Sequence, residues 1–458
     1  MCAIVGIYGS ENAAKNAYYA LFSMQHRGQE SSGISSADDT KIHLIKKRGL
    51  VTDVFDEEAF STLKGTCAIG HNRYSTAGND SIFDAQPVFA RYKLGEISVA
   101  HNGNLVNKNE VRSELIAKGA IFQTGMDTEN IVHLIAKSQK DKLVDRIKDM
   151  LTRIEGAYCL VIQSRSKMFV IRDRFGIRPL SLGRLPDGGW VVASETCAFD
   201  LLGATFIRDV RPGEMLIFGK NNQEPISEQV FEPDFHPCAF EYIYFARPDS
   251  IIDGTNVYES RLTMGKRLAY EQPADVDLVI PVPDSGVAAA RGFAEGLGVP
   301  FEMAIVRNHY VGRTFIEPTQ EIRDLKVKLK LSPISSLIKG KKIAIIDDSL
   351  VRGTTSKQIV KMLKDAGASE VHMRIAAPEI KFPCRYGIDT PTQTELISAS
   401  YSPEEIADQI GADSLGFLSL EGLVESLGSE RKYSLVSFDG NYFAGGSAQS
   451  PGCNDLDL

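Results

Sequence analysis

The stretch "IAIIDDSLVRGTTS", Ile343 to Ser356, decides how the second half of this chain folds. An apolar run ends in two adjacent carboxylates, Asp347 and Asp348. A loop with Gly353 follows, and Thr354, Thr355 and Ser356 then open a helix. This is a strand–loop–helix unit with a polar hinge. Ligands of open α/β sheets bind at the carboxyl ends of strands. Glycine lets backbone N–H groups approach an anion closely, and a helix N-terminus favours negative charge. The hydroxyls add donors for phosphate oxygens, and paired carboxylates suit sugar hydroxyls or a hydrated Mg²⁺. A plain threonine N-cap explains one hydroxyl, but not two acids behind a buried strand.

Outward from this unit the same texture repeats. "VDLVIPVP" leads into "DSGVAAARGFAEGLG" and "FEMAIVRN", and the helix after Ser356 runs to "EVHMRIAAP". Apolar strands alternating with helices imply a parallel, doubly wound sheet. Upstream, the polar "NNQEPISEQVFEPDFHP" over 221–237 reads as a connection, which places two domains at 2–230 and 231–458. The first half has a different pattern. "TCAIGHNRYS", "EISVAHNGNL", "AYCLVIQS" and "KMFVIRD" are short β segments, with one helix predicted from Asn12 towards Gly28 and another from Met126. Helices covering stacked sheets are expected there. The tail beyond Gly440 is small and polar, and is predicted to fray.

Composition narrows the function classes. With 458 residues, 43% apolar and 24% charged, the chain reads as a multidomain globular protein. A net charge of -8 argues against nucleic acid as a partner. No apolar run is long enough to span a membrane, and the N-terminus lacks the pattern of a secretory signal. A cytoplasmic location is the expectation. The seven cysteines are scattered and form no C-x-x-C pair, as in a reducing compartment.

The stretch around Asp347 resembles the phosphoribosyltransferase signature for 5-phosphoribosyl 1-pyrophosphate (PRPP). The resemblance implies a type I phosphoribosyltransferase fold. It implies that Asp347 and Asp348 face the ribose hydroxyls and Mg²⁺, and that Ser349, Arg352, Gly353, Thr354 and Thr355 hold the 5-phosphate. "VPDSGVAAA" supplies Asp284, Ser285 and Gly286 where that family grips pyrophosphate, with Ser285 near the metal. "RNHYVGRTFIEP" resembles its mobile loop, which makes Tyr310, Arg313, Phe315 and Ile316 candidates to close the site and wall an ammonia path.

The chain begins "MCAIVGI", and Cys2 at the front of an apolar strand has two readings. It is a small buried residue, or it becomes a nucleophile at the N-terminus once Met1 is removed, with its own α-amine as base. "QHRGQESSGI", "GHNRYSTAG", "AHNGNL" and "GMDTEN" follow in order. Together these stretches resemble the class II glutamine amidotransferases, whose N-terminal-nucleophile fold is an αββα sandwich. The resemblance implies Cys2 as nucleophile, Asn102 and Gly103 as oxyanion donors, Arg73 on the glutamine carboxylate and Asp127 on its ammonium. The ordinary alternatives are a surface charge for Arg73, a hairpin turn for Asn102-Gly103 and a helix cap for Asp127. His71 and His101 receive no role.

A glutaminase joined to a PRPP domain resembles the glutamine-dependent enzymes that open purine biosynthesis. The implied reaction gives 5-phosphoribosylamine, glutamate and pyrophosphate from PRPP, glutamine and water, with ammonia passed internally. The family also implies inhibition by purine nucleotides and a homotetramer or homodimer. Some members carry an iron–sulfur cluster on four cysteines. Here Cys238 and Cys384 match two ligands, but Ser434 and Ser437 stand at the C-x-x-C spacing, so no cluster is expected. No propeptide longer than Met1 is expected either. Two rivals are a glutaminase feeding another sugar phosphate and a non-catalytic regulator on the phosphoribosyltransferase fold.

Overall fold

A computed structural model describes residues 1–74, 82–220, 223–308 and 330–449. Tyr310, Arg313, Phe315 and Ile316 therefore lie outside the described residues. In the N-terminal half two antiparallel sheets stack face to face. The seven-stranded sheet is built around Ala3–Tyr8, which pairs on one side with Trp190–Ala193 and on the other with Cys67–Arg73. The six-stranded sheet is built around Gly95–Leu105 and Gly156–Ser164.

Period-two alternation sorts the side chains into layers. Ala3, Val5 and Ile7 face the helix Ala13–Ser23 and its neighbours. Ile4 points the other way, into the seam between the sheets with Ile69, Val161 and Val170. The outer face of the second sheet is covered by Lys108–Ala117, Asp127–Lys137 and Leu143–Leu151. This is the αββα sandwich. The expected helix from Asn12 stops at Ser23 and continues as a 3-10 turn, Gln25–Arg27. The segment expected as connection instead starts with an edge strand, Ile226–Gln229, paired with Glu214–Gly219. Its flat, polar sequence hid a strand whose side chains are mostly exposed.

The C-terminal half carries a parallel sheet in the order Leu278–Pro281, Lys342–Asp347, Glu370–Ile375, Ser414–Phe417. A parallel bridge from Val279 to Phe301 extends it on the other side. The first segment in chain order thus lies between the second, at Phe301, and the third, Lys342–Asp347. That reversal is the topological switch point, where ligands of open α/β sheets bind. Both polar loops named from the sequence leave the sheet there.

The halves share one buried junction. Ala157 and Ile177 pack with Cys238, Tyr242 and Tyr386 in the C-terminal core. Asn104 Nδ2 donates to the carbonyl of Arg385 at 2.8 Å, and Arg178 Nε to that of Tyr386 at 3.1 Å. The tail corrects the expectation of fraying, for it docks as far as Ala448. The Ala444 N–H donates to Tyr386 Oη at 2.9 Å, and Arg385 Nη2 donates to Ala448 at 2.6 Å. Phe443 stacks on His236, with ring centres 4.4 Å apart. Aromatic anchors, not regular structure, hold it, so no periodic signal revealed it. Phe443→Ala should cost about 2 kcal/mol, the lower end for a half-buried aromatic. Thermal unfolding of the full chain would show this as a lowered midpoint, whereas a frayed tail would leave the midpoint unmoved.

Candidate active site

The sandwich brings the N-terminal motifs to one edge. Ala3 pairs with Asn72, so Cys2 and Arg73 leave the ladder side by side. The backbone N–H of Cys2 donates to Asn102 Oδ1 at 3.2 Å. Asn102 and Gly103 lie inside the strand Gly95–Leu105, opposite Cys159 and Tyr158, so the hairpin-turn alternative fails. Asn102 Nδ2 is buried and makes no hydrogen bond. Gly103 has φ +148°, and a Cβ there would lie 2.1 Å from the carbonyl oxygen of Ala157. Only glycine fits, and its N–H stays beside the unpaired amide of Asn102. A buried unpaired donor is costly unless something is bound there.

Asp127 is the first residue of its helix, not its cap. Its Oδ2 accepts from the Leu105 N–H at 2.9 Å, and its Oδ1 lies 3.3 Å from His101 Nδ1. Burial pushes the Asp127 carboxyl up, but His101 and the backbone donor outweigh burial and hold it at about 2. Burial lowers His101, yet the charge of Asp127 raises it above its ordinary value overall. His71 behaves oppositely: burial, then the charge of Arg73, push it down to about 3, so it is neutral. Arg73 Nη1 lies 3.5 Å from the buried carboxylate of Asp84. Arg73 is therefore a partly covered cation at the pocket edge, not a free surface charge.

The second site forms at the switch point. Asp347 ends its strand, and its Oδ1 accepts from the N–H of Asp348 at 2.9 Å. Burial, and then the charge of Asp348, push the Asp347 carboxyl well above the ordinary range. Burial also raises Asp348, although hydroxyls of Ser285 and Ser349 donate to it. Ser285 thus joins the two loops across adjacent strands. Asp284 pairs with Arg307. Gly353 has φ +74°, which turns the chain into the helix Thr354–Asp365, so Thr354 and Thr355 stand exposed at its first turn. Arg352 is exposed and pairs with Glu395 at 2.9 Å. The grouping is that of the sequence reading, with Glu395 and Arg307 added.

Each half matches a known domain family. Residues 71–200 match a glutamine amidotransferase domain and residues 260–383 a phosphoribosyl transferase domain. The amidophosphoribosyltransferase of Bacillus subtilis is 48% identical, covering 96% of this chain and 94% of its own length. The chain belongs to the amidophosphoribosyltransferase family. A chloroplastic amidophosphoribosyltransferase of Arabidopsis thaliana is 49% identical, covering 96% of this chain and 78% of its own. The solved Bacillus subtilis glutamine PRPP amidotransferase, complexed with ADP and GMP, superposes with a TM-score of 0.91 at 46% identity, covering 97% of this chain and 98% of that one. As a member of this family the chain is a glutamine-dependent transferase of the first step of purine biosynthesis.

Two cofactors implied by the family fit this chain differently. The Asp347–Asp348 pair suits Mg²⁺, which binds through one or two carboxylates plus substrate phosphates. Among the described residues no three acidic, histidine or cysteine side chains group to cage a metal, so the substrate's oxygens would complete the shell. An iron–sulfur cluster does not fit. Cys238 bridges to Ser434 along the backbone, and the Ser437 carbonyl accepts from the Lys381 N–H, so the corner near Cys384 holds two cysteines and two serines. Four thiolates are what such a cluster needs.

Four residues at the first site carried no role in the sequence reading: His101, Arg27, Glu195 and Glu241. Arg27 and His101 lay in quoted motifs, whereas Glu195 and Glu241 are brought in by long-range pairing. The His101–Asp127 pair has a definite pH signature. Asp127, depressed below its unfolded value of about 3.9, stabilises the fold above that pH and stops doing so as pH falls through about 2. His101, raised, stabilises below its unfolded value of about 6.5 and ceases to as pH rises through its folded one. His101→Gln removes both contributions. Its loss of unfolding midpoint relative to the parent should be largest between about pH 4 and 6, where both groups are charged, and shrink on either side. A deficit that does not vary with pH would show that the pair is not ionised.

Proposed function

We propose that Cys2, freed of Met1, is the nucleophile that hydrolyses glutamine, and that the ammonia released is passed inside the protein to PRPP at the Asp347–Asp348 site. The observation that carries the reading is the placement of Cys2 on Asn102, beside a glycine that tolerates no side chain. The α-amine of Cys2 takes the thiol proton as the sulfur attacks the amide carbon. Asn102 Nδ2 and the Gly103 N–H then stabilise the oxyanion. Arg73 holds the substrate carboxylate and Asp127 its ammonium, the latter as a carboxylate kept charged by His101. Water releases glutamate from the thioester.

In the second half, which we place at 231–458 after a glutaminase half at 2–230, Asp347 and Asp348 orient the ribose hydroxyls. Ser349, Arg352, Gly353, Thr354 and Thr355 surround the 5-phosphate at the start of a helix, where N–H groups point outward. Asp284, Ser285 and Gly286 receive the pyrophosphate. Mg²⁺ bound by Asp347, Asp348 and Ser285 would neutralise charge on that leaving group. Ammonia adds at the anomeric carbon as pyrophosphate departs. Internal passage keeps the ammonia from becoming mostly unreactive ammonium, as it would in neutral water.

The ADP and GMP held by the Bacillus subtilis relative support purine nucleotides as inhibitors here. A homotetramer or homodimer in the cytoplasm is part of the same reading. Among the described residues no helix is long and apolar enough to cross a membrane.

The test is to supply glutamine, PRPP and Mg²⁺, omit each in turn, and quantify glutamate and pyrophosphate. Matched, mutually dependent yields are expected. Glutamate without PRPP-dependent pyrophosphate would mean a different acceptor. Cys2→Ala should abolish glutamine use while external ammonia still supports pyrophosphate release. Asn102→Ala should slow glutamine turnover by about a hundred- to a thousandfold, the usual loss of one oxyanion donor. An Asn102→Ala rate within a few-fold of the parent would remove that residue from the oxyanion site.

A further inference from the structure

We propose that Glu241, supplied by the C-terminal half, is a positioning residue for the glutaminase nucleophile. The proposal rests on Cys2 being that nucleophile. Glu241 is 1% exposed, touches none of the residues assigned to either substrate, and faces the other half of the chain. Its carboxylate receives both terminal nitrogens of Arg27, Nη1 on Oε2 at 2.9 Å and Nη2 on Oε1 at 2.9 Å. This is the planar, bidentate pairing that fixes a guanidinium in orientation as well as in place. The remaining nitrogen of that guanidinium, Nε, donates to the carbonyl oxygen of Cys2 at 3.0 Å. Glu241 therefore holds the far edge of the group whose near edge holds the nucleophile's own backbone.

The rest of the cluster makes the arrangement affordable and stiff. Glu195 Oε1 accepts from Arg27 Nη1 at 2.5 Å and lies 2.8 Å from His26 Nε2. Glu241 Oε1 also accepts from Arg178 Nη1 at 3.1 Å. Two buried guanidiniums thus face two buried carboxylates, and removing any one leaves a charge stranded. Met1 is part of the same space. It is 4% exposed, with its sulfur against Arg178 and 4.0 Å from Arg27 Nη2. Its removal uncovers the α-amine of Cys2 on the side of this cluster.

Glu241 is itself placed from the PRPP half. It opens a π-helical turn, Glu241–Phe245, a rare geometry frequent at functional sites. Arg261, on the helix Val257–Glu271, spans that turn, donating Nε to Tyr242 at 2.7 Å and Nη2 to Ala246 at 2.8 Å. The same helix packs along Val287–Leu297, which begins just after Gly286 of the pyrophosphate loop. The glutaminase site is complete only when the two halves are docked.

The experiment uses the full-length enzyme and follows glutamine hydrolysis. Glu241→Gln keeps the shape but leaves one acceptor in place of the charged fork. The expected result is a kcat lowered about 10- to 100-fold, the scale of a nucleophile displaced by a fraction of an ångström to one ångström. KM for glutamine should stay unchanged, since Arg73 and Asp127 are untouched. Arg178→Gln cuts the other ion pair of Glu241 and loosens the same junction, but spares the Arg27 fork. It should lower the unfolding midpoint and cost clearly less kcat than Glu241→Gln. Equal kcat losses in the two variants, or none in Glu241→Gln, would reduce Glu241 to a junction contact and overturn the proposal. Glu241→Asp is measured alongside. It keeps the charge and should restore folding and part of kcat, and it carries the same comparison if Glu241→Gln does not fold. Glutamine hydrolysis surviving in Cys2→Ala would instead overturn the assignment of the nucleophile, whatever Glu241 does.

Discussion

The structure depends on one strand with no free side. Ala3–Tyr8 is paired along both edges and buried on both faces, helices on one and a second sheet on the other. A strand so enclosed cannot slip register without turning its whole apolar set the wrong way. Whatever sits at its amino end is therefore placed as rigidly as anything in the molecule. The strand serves as a mount for the thiol at position 2. The second sheet then presents Asn102 and Gly103 from the middle of a strand, not from a loop. Position 2 is thus carried by the end of one strand and faced by residues inside another, a mount more precise than a loop.

How much of this was legible in the sequence follows from how local each signal is. The acid pair, Gly353 and the hydroxyls of Thr354 and Thr355 lie within nine residues of one another, and their order alone marks a strand, a turn and a helix start. The alternation around Cys2 and Asn102 marked strands. What escaped was long-range or irregular. His101 read as a lone histidine because its partner lies 26 residues on. Glu195 and Glu241 lie 168 and 214 residues from the arginine they hold. The tail after Gly440 looked frayed because small polar residues carry no periodic pattern, yet Phe443 and Ala444 anchor it. The edge strand Ile226–Gln229 was missed because solvent, not a core, faces most of it.

The two sites differ in how their charge is balanced. Around Cys2 the buried charges come with partners: Arg27 with Glu195 and Glu241, Arg178 with Glu241, Asp127 with His101. Such a cluster is held in one arrangement by its own ion pairs. At the switch point the balance is left open. Asp347 and Asp348 are buried, adjacent and raised in pKa by burial; among the described residues the hydroxyls of Ser285 and Ser349 and the charge of Arg261 offset this only in part at Asp348. Two carboxylates this close cannot both ionise cheaply.

The two halves are linked by one irregular turn. The π-helical turn Glu241–Phe245 is spanned by Arg261 on the helix Val257–Glu271, and through Glu241 and Arg27 it reaches the backbone of Cys2. Removing one partner of a buried ion pair strands the other, so the setting of the Cys2 backbone depends on a carboxylate 214 residues from the arginine that holds it. The balanced charges at the N-terminal site are thus shared between the halves, whereas the acid pair at the switch point lies in the C-terminal half alone.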